Sequence, residues 1–283
     1  MGNMINNMLN NMSKMTTKSQ EITDDILLLQ FTIVNACLIG KPNASSGEWM
    51  LIDTGLPSSF DFIVESTKKR FGKDSRPGAI ILTHGHFDHV GSVAALAEKW
   101  NVPVFAHKLE LPYITGEKDY PMGDPTVDEG LIAKMSPSFP HRSIDLGYRA
   151  AALPDDGSVP GMPDWKWIST PGHTEGHISL FREKDRVLIV GDAFTTTKQE
   201  SLGAVLTQDE QVKGPPAYLT TDWEQAKQSI EILKVLKPSI AIPSHGFPME
   251  GEELRNHLDR LENHFQEIAV PNQGKFVNPE KRI

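Results

Sequence analysis

Apolar and polar positions along the chain repeat with two periods, which predict strands and helices in alternation. Short apolar runs bounded by turn-forming residues are typical of buried strands, whereas apolar residues three or four apart are typical of amphipathic helices. The runs predict strands at residues 26–34, 35–39, 48–52, 79–82, 101–106, 165–169, 178–182, 186–190 and 240–243. The stripes predict helices at residues 58–72, 92–100, 221–237 and 254–268. Strands that alternate with helices indicate a layered α/β fold.

Two of the predicted helices carry start and stop signals. Ser58-Ser59-Phe60-Asp61 and Thr221-Asp222-Trp223-Glu224 match the capping box, in which side chains of the first turn bond its free N–H groups. Gly72 is expected to end the first helix as a C-cap, and Pro238 to stop the second.

Composition and charge narrow the class of protein. The 283 residues carry a net charge of −9, which disfavours nucleic acid and anionic membranes as partners. No run approaches the roughly 18 apolar residues of a membrane span. The start of the chain lacks a basic stretch followed by an apolar one, so we expect no secretory signal and a cytoplasmic protein. The single cysteine, Cys37, is interpreted as a buried apolar residue.

Candidate chemistry is concentrated in the run Thr83-His84-Gly85-His86-Phe87-Asp88-His89, which lies between a predicted strand and a predicted helix. In an extended loop, alternate side chains share a side, so His84, His86 and Asp88 are expected to point one way. His89 is expected to turn back as the helix begins. Imidazole and carboxylate groups are ligands that suit zinc, and four so close together indicate two metal ions. The alternative is a solvated polar loop.

This His-x-His-x-Asp-His run resembles the signature of the metallo-β-lactamase superfamily of metallohydrolases. The resemblance extends from about Leu27 to the C-terminal helix. It implies an α/β (α+β) fold, the four-layer αββα sandwich of the metallo-β-lactamase type. It also implies a single domain over residues 22–283, because ligands from both halves would meet at one site.

The resemblance further implies a set of metal ligands drawn from four loops. His84, His86 and His173 would hold the first ion, Asp88, His89 and His245 the second, with Asp192 bridging the two. Asp53, in Asp53-Thr54-Gly55, would orient a ligand, although a simple strand-end turn is the alternative. His177 would be a supporting residue.

Two segments fall outside the periodic pattern. Residues 1–21 are expected to be a poorly ordered leader, with a short docking helix on Ile5, Met8, Leu9 and Met12 as the alternative. The proline-rich residues 109–163 lose periodicity, and long irregular segments in compact domains are usually functional lids or disordered inserts. We expect a lid-like cover over the metal loops. Alternatively, its aromatic residues only anchor it to the core.

The implied function is metal-dependent hydrolysis of a small ester, lactone or thioester. Two divalent ions lower the pKa of bound water from 15.7 to about 7, so a bridging hydroxide would be the nucleophile. Asp88 is assigned a second, catalytic role in steering protons to the leaving group. Zinc is the favoured metal, with iron or manganese as alternatives. The expected partner is a small-molecule substrate, and a homo-oligomer is left open.

Four alternative functions, within and beyond the superfamily, fit the sequence less well. A phosphodiesterase or nuclease is disfavoured by the acidic balance. A di-iron oxidoreductase is disfavoured, because such members of the superfamily generally carry Glu where this chain has His86 and work beside a flavin domain. A β-lactamase is disfavoured by the full ligand set, and a non-catalytic metal module because structural zinc sites are normally closed with four ligands. Tyr218 is placed near the pocket as a hypothesis.

Overall fold

The computed structural model describes residues 17–197, 199 and 212–277, which form two compact units. Unit 1 comprises the chain up to Tyr120 together with Pro140–Pro163. Unit 2 comprises Pro121–Phe139 and the chain from Asp164 onward. Among the helices of the described residues, none has the length and apolar character needed to cross a membrane.

Within its described residues, unit 1 is built on a seven-stranded sheet whose strands follow one another in chain order. The strands are β1 Lys18–Thr23, β2 Ile26–Gln30, β3 Asn35–Ile39, β4 Met50–Ile52, β5 Ile80–Ile81, β6 Val104–Ala106 and β7 Ala150–Ala152. Neighbours are antiparallel from β1 to β4 and parallel from β4 to β7. The parallel half therefore sends the carboxyl ends of β4, β5 and β6 to one edge of the sheet.

The helices of unit 1 are α1 Phe60–Phe71, α2 Phe87–Val90, α3 Val93–Trp100 and α4 Leu111–Ile114. Ile63 of α1 and Leu96 of α3 share one buried apolar cluster with Leu38 and Leu51 of the sheet. As predicted, α1 ends at Gly72, whose N–H donates to the Lys68 carbonyl at a φ of 97°. Removing this apolar surface from water is the main stabilising term for the layer.

Unit 2 contains a five-stranded sheet in the part of the chain described, in the order β12-β11-β10-β9-β8. The strands are β8 Trp165–Ser169, β9 Ile178–Arg182, β10 Val187–Gly191, β11 Ile240–Pro243 and β12 Met249–Glu250. The helices are α5 Leu131–Met135, α6 Trp223–Val235, α7 Gly251–Asn263 and α8 Phe265–Ile268. Ile230 of α6 and Leu258 of α7 pack with Leu188 of β10 in a second apolar cluster.

The prediction that residues 18–21 belong to a poorly ordered leader is wrong. Residues 18–21 belong to β1, which pairs antiparallel with β2, although residues 1–16, including the alternative docking helix, lie outside the described residues. β1 is an exposed edge strand of sequence KSQEIT, so it lacks the apolar alternation that reveals most strands. Backbone pairing to an apolar neighbour, rather than burial of its own side chains, places it in the sheet.

Residues 109–163 contain more regular structure than the lost periodicity suggested. They include α4, α5 and the edge strand β7, which pairs in parallel with β6. Tyr113, Tyr120 and Phe139 are buried, whereas Met122 is exposed. The segment is therefore anchored at several points, and its action as a lid stays a prediction.

Three helix boundaries differ from those predicted. The predicted capping box at Ser58 is wrong, because α1 begins at Phe60 after Ser59, and the Ser59 side chain makes no capping bond to its first turn. The closing helix divides at His264, whose φ of −124° and ψ of 31° leave the helical region between α7 and α8. At the start of α6 the cap is Asp222 rather than Thr221, because the Asp222 carboxylate accepts a hydrogen bond from the Gln225 N–H. Cys37 is buried as predicted, and burial with the nearby Asp53 charge raises the pKa of its thiol.

Candidate metal centre

In unit 1, two neighbouring strands deliver polar loops to one edge of the sheet. β4 and β5 are parallel and Ile52 lies opposite Ile81, so Asp53 and the residues after β5 leave the sheet side by side. The residues that follow β5 form the Thr83–His89 loop. His84, His86, Asp88 and His89 are all at most 6% exposed, which places four candidate ligands out of bulk water.

The loop is extended only as far as His86. His84 Nε2 and His86 Nδ1 lie 3.0 Å apart, which agrees with the predicted shared side. The prediction that Asp88 continues the extended alternation is wrong, because α2 begins at Phe87 and places Asp88 and His89 in a helical turn. That turn leaves His89 Nε2 4.0 Å from Asp88 Oδ1. The two pairs of candidate ligands are thus presented by different backbone conformations.

Asp53 fixes both ends of the loop. Its Oδ1 accepts from the Thr83 N–H at 2.8 Å, and its Oδ2 accepts from the Thr83 hydroxyl at 2.8 Å and from His89 Nδ1 at 2.8 Å. Through this bond to Nδ1, Asp53 orients the His89 ring so that Nε2 is the atom that would bind a metal. Carboxylates commonly orient metal-binding histidines in this way. The contact between Asp53 and His89 agrees with the predicted orienting role, which stays a prediction.

The middle of the loop is held by two residues from the segment 109–120. The Gly85 N–H donates to Glu110 Oε2 at 2.9 Å and to the Tyr120 hydroxyl oxygen at 3.0 Å. The Tyr120 hydroxyl in turn donates to Glu110 Oε2, and its ring lies 4.4 Å from the His86 ring. Burial and the Glu110 charge raise the pKa of Tyr120 well above its ordinary value, so this hydroxyl keeps its proton at neutral pH.

In unit 2, three strands run the same way and end in candidate ligands. β10 and β11 are parallel with Gly191 opposite Pro243, so Asp192 and the Ser244-His245 turn leave the sheet together. β8 also runs with β10, because each is antiparallel to β9 between them. Its carboxyl end therefore brings the loop of His173 to the same edge.

The carboxylate of Asp192 lies between two imidazoles. Its Oδ2 is 3.3 Å from His173 Nε2 and 3.2 Å from His245 Nε2. All three side chains are buried. A buried carboxylate needs compensation by cations or hydrogen bonds, and a metal ion beside these imidazoles would be one source of it.

The imidazoles of unit 2 have partners that fix their orientation. The Thr220 hydroxyl donates to the Pro216 carbonyl at 2.8 Å, so it accepts from His173 Nδ1 at 3.1 Å and leaves His173 Nε2 facing Asp192. The Asp192 N–H donates to His177 Nε2 at 2.8 Å. His177 therefore supports the backbone of Asp192, in agreement with its predicted supporting role.

The His173 loop depends on a glycine at its turn. Gly172 has a φ of 126°, and a Cβ there would lie 2.3 Å from the backbone nitrogen of Ala226 in α6. The Gly172 carbonyl accepts from the N–H groups of Thr221 and Asp222, at 3.0 and 2.9 Å. The Pro-Gly-His loop therefore packs directly against the start of α6.

Sequence reasoning missed Glu110, Tyr120 and Thr220. They contact ligand loops 25, 35 and 47 residues away, and no local spacing marks such pairs. The hypothesis for Tyr218 stays a prediction: its buried ring lies edge-on to Phe139 with centroids 5.8 Å apart.

The chemistry of the donor set fits divalent metal ions. The side chains offer imidazole nitrogens and carboxylate oxygens, the ligands of zinc and related metals. The buried His and Asp clusters to which they belong could hold such an ion.

Comparison with known proteins points to the same chemistry. A family model described as the metallo-beta-lactamase superfamily matches residues 29–245. The chain is similar to the probable metallo-hydrolase YflN of Bacillus subtilis (strain 168), with 48% identity over 240 residues, 85% of this chain and 90% of that protein.

Solved structures share the fold. A B3 metallo-β-lactamase with an active-site glutamic acid matches with a TM-score of 0.59 and 19% identity, covering 91% of this chain and 92% of that one. TTHA1623 in a di-iron-bound form matches with a TM-score of 0.51 and 24% identity, covering 77% and 89%. The predicted α/β fold of the metallo-β-lactamase type, with two sheets and their helices, is confirmed.

Proposed function

Because the chain belongs to the metallo-β-lactamase superfamily, we propose that it is a dinuclear, zinc-dependent hydrolase of small esters, lactones or thioesters. The proposed ligands are those implied by the sequence: His84, His86, Asp88, His89, His173, Asp192 and His245. The supporting observation is the spacing around Asp192. Ligand atoms about 2.0–2.1 Å from one tetrahedral zinc ion lie roughly 3.3–3.4 Å apart. The two imidazole nitrogens are 3.3 and 3.2 Å from Asp192 Oδ2.

Divalent ions held by these residues would supply a water activated at neutral pH and a Lewis acid for the substrate carbonyl. The chain's own groups then orient and protect the site. Asp53 and Thr220 fix two imidazoles by their Nδ1 atoms. Asp88, buried in the first turn of α2, is proposed to hold the proton that passes to the leaving group. Iron remains the alternative metal, since a structurally similar protein was solved with a di-iron centre.

The size and lining of a cavity in unit 1 favour an acyl compound as the substrate. Its volume is about 260 Å³, and it borders the Thr83–His89 loop at Gly85 and Phe87. The other lining residues are Leu56, Pro57, Val90, Gly91, Ala94, Tyr120, Pro140, His141, Arg142 and Ile144. At the roughly 30 Å³ that one water molecule occupies, the cavity has room for about eight or nine non-hydrogen atoms. A medium-length apolar acyl chain matches this volume and lining.

The charge of the chain and of this cavity disfavours the rival function of phosphodiester hydrolysis. A site for nucleic acid or another polyanion needs a basic surface, whereas this chain has a net charge of −9. Arg142 is the cationic lining residue that keeps its charge at any ordinary pH. Hydrogen bonds from Ser143, with smaller effects of Arg142 and His141, lower the pKa of Asp119. Asp119 is therefore ionised and opposes the charge of Arg142.

The test is hydrolysis of a panel of esters, lactones, thioesters and phosphodiesters by the zinc-loaded protein and by two variants. His86→Ala and Asp192→Ala each remove a proposed ligand from a different unit. We expect both to lose zinc-dependent hydrolysis, by at least about 100-fold, since each removes a ligand on which activation of the water depends. Metal content after dialysis is measured in parallel.

His257→Ala is the matched control, because it removes an imidazole from α7 outside the proposed ligand set. It should keep wild-type turnover and metal content. Unchanged turnover in His86→Ala or Asp192→Ala would refute the assigned roles, and hydrolysis of phosphodiesters alone would favour the rival. The cytoplasmic location and a homo-oligomer stay predictions.

A further inference from the structure

The Gly85 peptide lies between two candidate ligands and is held from outside its own loop. Its N–H is shared by Glu110 Oε2 and the Tyr120 hydroxyl oxygen, at 2.9 and 3.0 Å. Glu110 is completely buried, and Tyr120 is almost so. A buried carboxylate that accepts from both a backbone N–H and a phenol forms a charge-assisted network, which is strong and geometrically demanding.

The same tyrosine also contacts a ligand through its ring. The Tyr120 and His86 ring centroids are 4.4 Å apart at an interplanar angle of 55°. The Tyr120 backbone N–H donates to the His141 carbonyl at 2.9 Å, and the Glu110 N–H to the His107 carbonyl at 2.8 Å. Both residues are therefore also held by backbone bonds to residues outside the Thr83–His89 loop.

Gly85 packs so closely against Tyr120 and Ile114 that a side chain at position 85 would crowd both residues. A Cβ at position 85 would lie 2.7 Å from the Tyr120 hydroxyl oxygen and 3.1 Å from Ile114. The close approach requires glycine between His84 and His86. Asp53 secures Thr83 and His89, so the segment around His86 depends on a different support.

We propose that Glu110 and Tyr120 are positioning residues that hold His86 for metal binding by clamping the Gly85 peptide. They act on the metal through His86, although Tyr120 also borders the cavity of unit 1. This inference rests on the proposed metal-dependent function. It also gives residues 109–120 a role other than covering the site: they complete the ligand geometry.

The experiment measures zinc affinity of the metal-free full chain by competition with a chelator, together with the zinc concentration that gives half-maximal activity. Tyr120→Phe keeps the ring and removes only the hydroxyl. Zinc affinity should fall by about 10–100-fold, as it does when outer partners of metal ligands are removed. The zinc requirement for activity should rise by the same factor. Because Tyr120 also lines the cavity of unit 1, the clamp is judged by zinc affinity rather than by KM.

Tyr113→Phe is the matched control. The Tyr113 ring stacks on Tyr120 at 4.0 Å, is equally buried, and loses a hydroxyl that does not bond Gly85. Glu110→Gln keeps an acceptor oxygen without the charge, so its loss of zinc affinity should be smaller than that of Glu110→Ala. It also tests the clamp if Tyr120→Phe does not fold.

Three results separate the hypotheses. Equal zinc affinity in Tyr120→Phe and Tyr113→Phe, with both lowering Tm of the metal-free protein, would mean that the tyrosines are only structural, and would overturn the inference. Wild-type zinc affinity in both Glu110→Gln and Glu110→Ala would likewise overturn it, because the clamp requires the Glu110 acceptor oxygen. A wild-type chain that binds no zinc would instead refute the proposed function itself.

Discussion

Asp53 shows how one residue sets the geometry of a loop thirty positions away. It adopts a φ of 56°, a left-handed conformation that Asp tolerates better than most residues, and this aims its carboxylate at Thr83 and His89. The resemblance to the superfamily implied this orienting role for Asp53 in the Asp-Thr-Gly pattern, with a simple strand-end turn as the alternative. Its partner within the loop, and the oxygen used for each bond, emerge only from the register of β4 against β5.

Ala94 provides the residue-scale test of substrate size. It is exposed on α3 and lines the apolar cavity of unit 1, whereas its neighbour Ala95 is also exposed but does not line it. Ala94→Leu should reduce kcat/KM for an octanoyl ester about tenfold, since a methylene of misfit in an apolar pocket changes rates by about 10–200-fold. Acetyl ester turnover should stay within about twofold. Chain-length profiles of Ala94→Leu, Ala95→Leu and wild type decide this: an identical octanoyl preference in all three excludes the cavity as an acyl site.

At the scale of single elements, apolar periodicity predicted most strands and the main helices because burial governs them. β2, β3, β5, β9 and β10 consist entirely of buried residues, so their apolar runs were visible in the sequence. β1 escaped prediction, since an exposed edge strand is held by backbone bonds to its neighbour. β7 escaped for a similar reason: three partly exposed alanines carry no strand signal, and only pairing with β6 defines them.

The start of α6 offers a test of one cap against the other. The sequence pattern favoured Thr221 as the first capping residue, but the Asp222 carboxylate accepts from the Gln225 N–H at 2.9 Å and from the Gln225 side chain at 2.7 Å. Asp222→Ala should lower the free energy of unfolding by about 0.5–2 kcal/mol, the usual cost of losing an N-cap. Thr221→Ala should cost less, since its hydroxyl makes only a 3.5 Å bond to the Gly172 carbonyl. Urea unfolding of both variants measures the difference; a larger loss in Thr221→Ala would restore the original prediction.

Across the whole molecule, the candidate ligands and the supports Asp53 and His177 could be named from the sequence, whereas three further supports could not. Each ligand follows a strand within a short motif, and the parallel pairs β4–β5 and β10–β11 explain why such loops share an edge. The supports Glu110, Tyr120 and Thr220 lie in segments without periodicity and contact their targets over long sequence separations. Hydrogen-bond partners of this kind are set by the folded path of the backbone, which no local pattern records.

Metal removal tests the whole chain at once. If the ligand set binds zinc only when folded, zinc adds RT ln(1 + [Zn]/Kd) to stability, or about 2.7 kcal/mol at 100 times Kd. At about 2–4 °C per kcal/mol for proteins of somewhat smaller size, Tm of the zinc-loaded protein should exceed that of the chelator-treated protein by about 5–10 °C. Calorimetry at several zinc concentrations should show Tm rising with the logarithm of free zinc. Asp192→Ala should show a much smaller rise, because it lacks the carboxylate that lies beside both His173 and His245. A wild-type Tm independent of zinc would show that the buried His and Asp side chains are compensated by the protein alone.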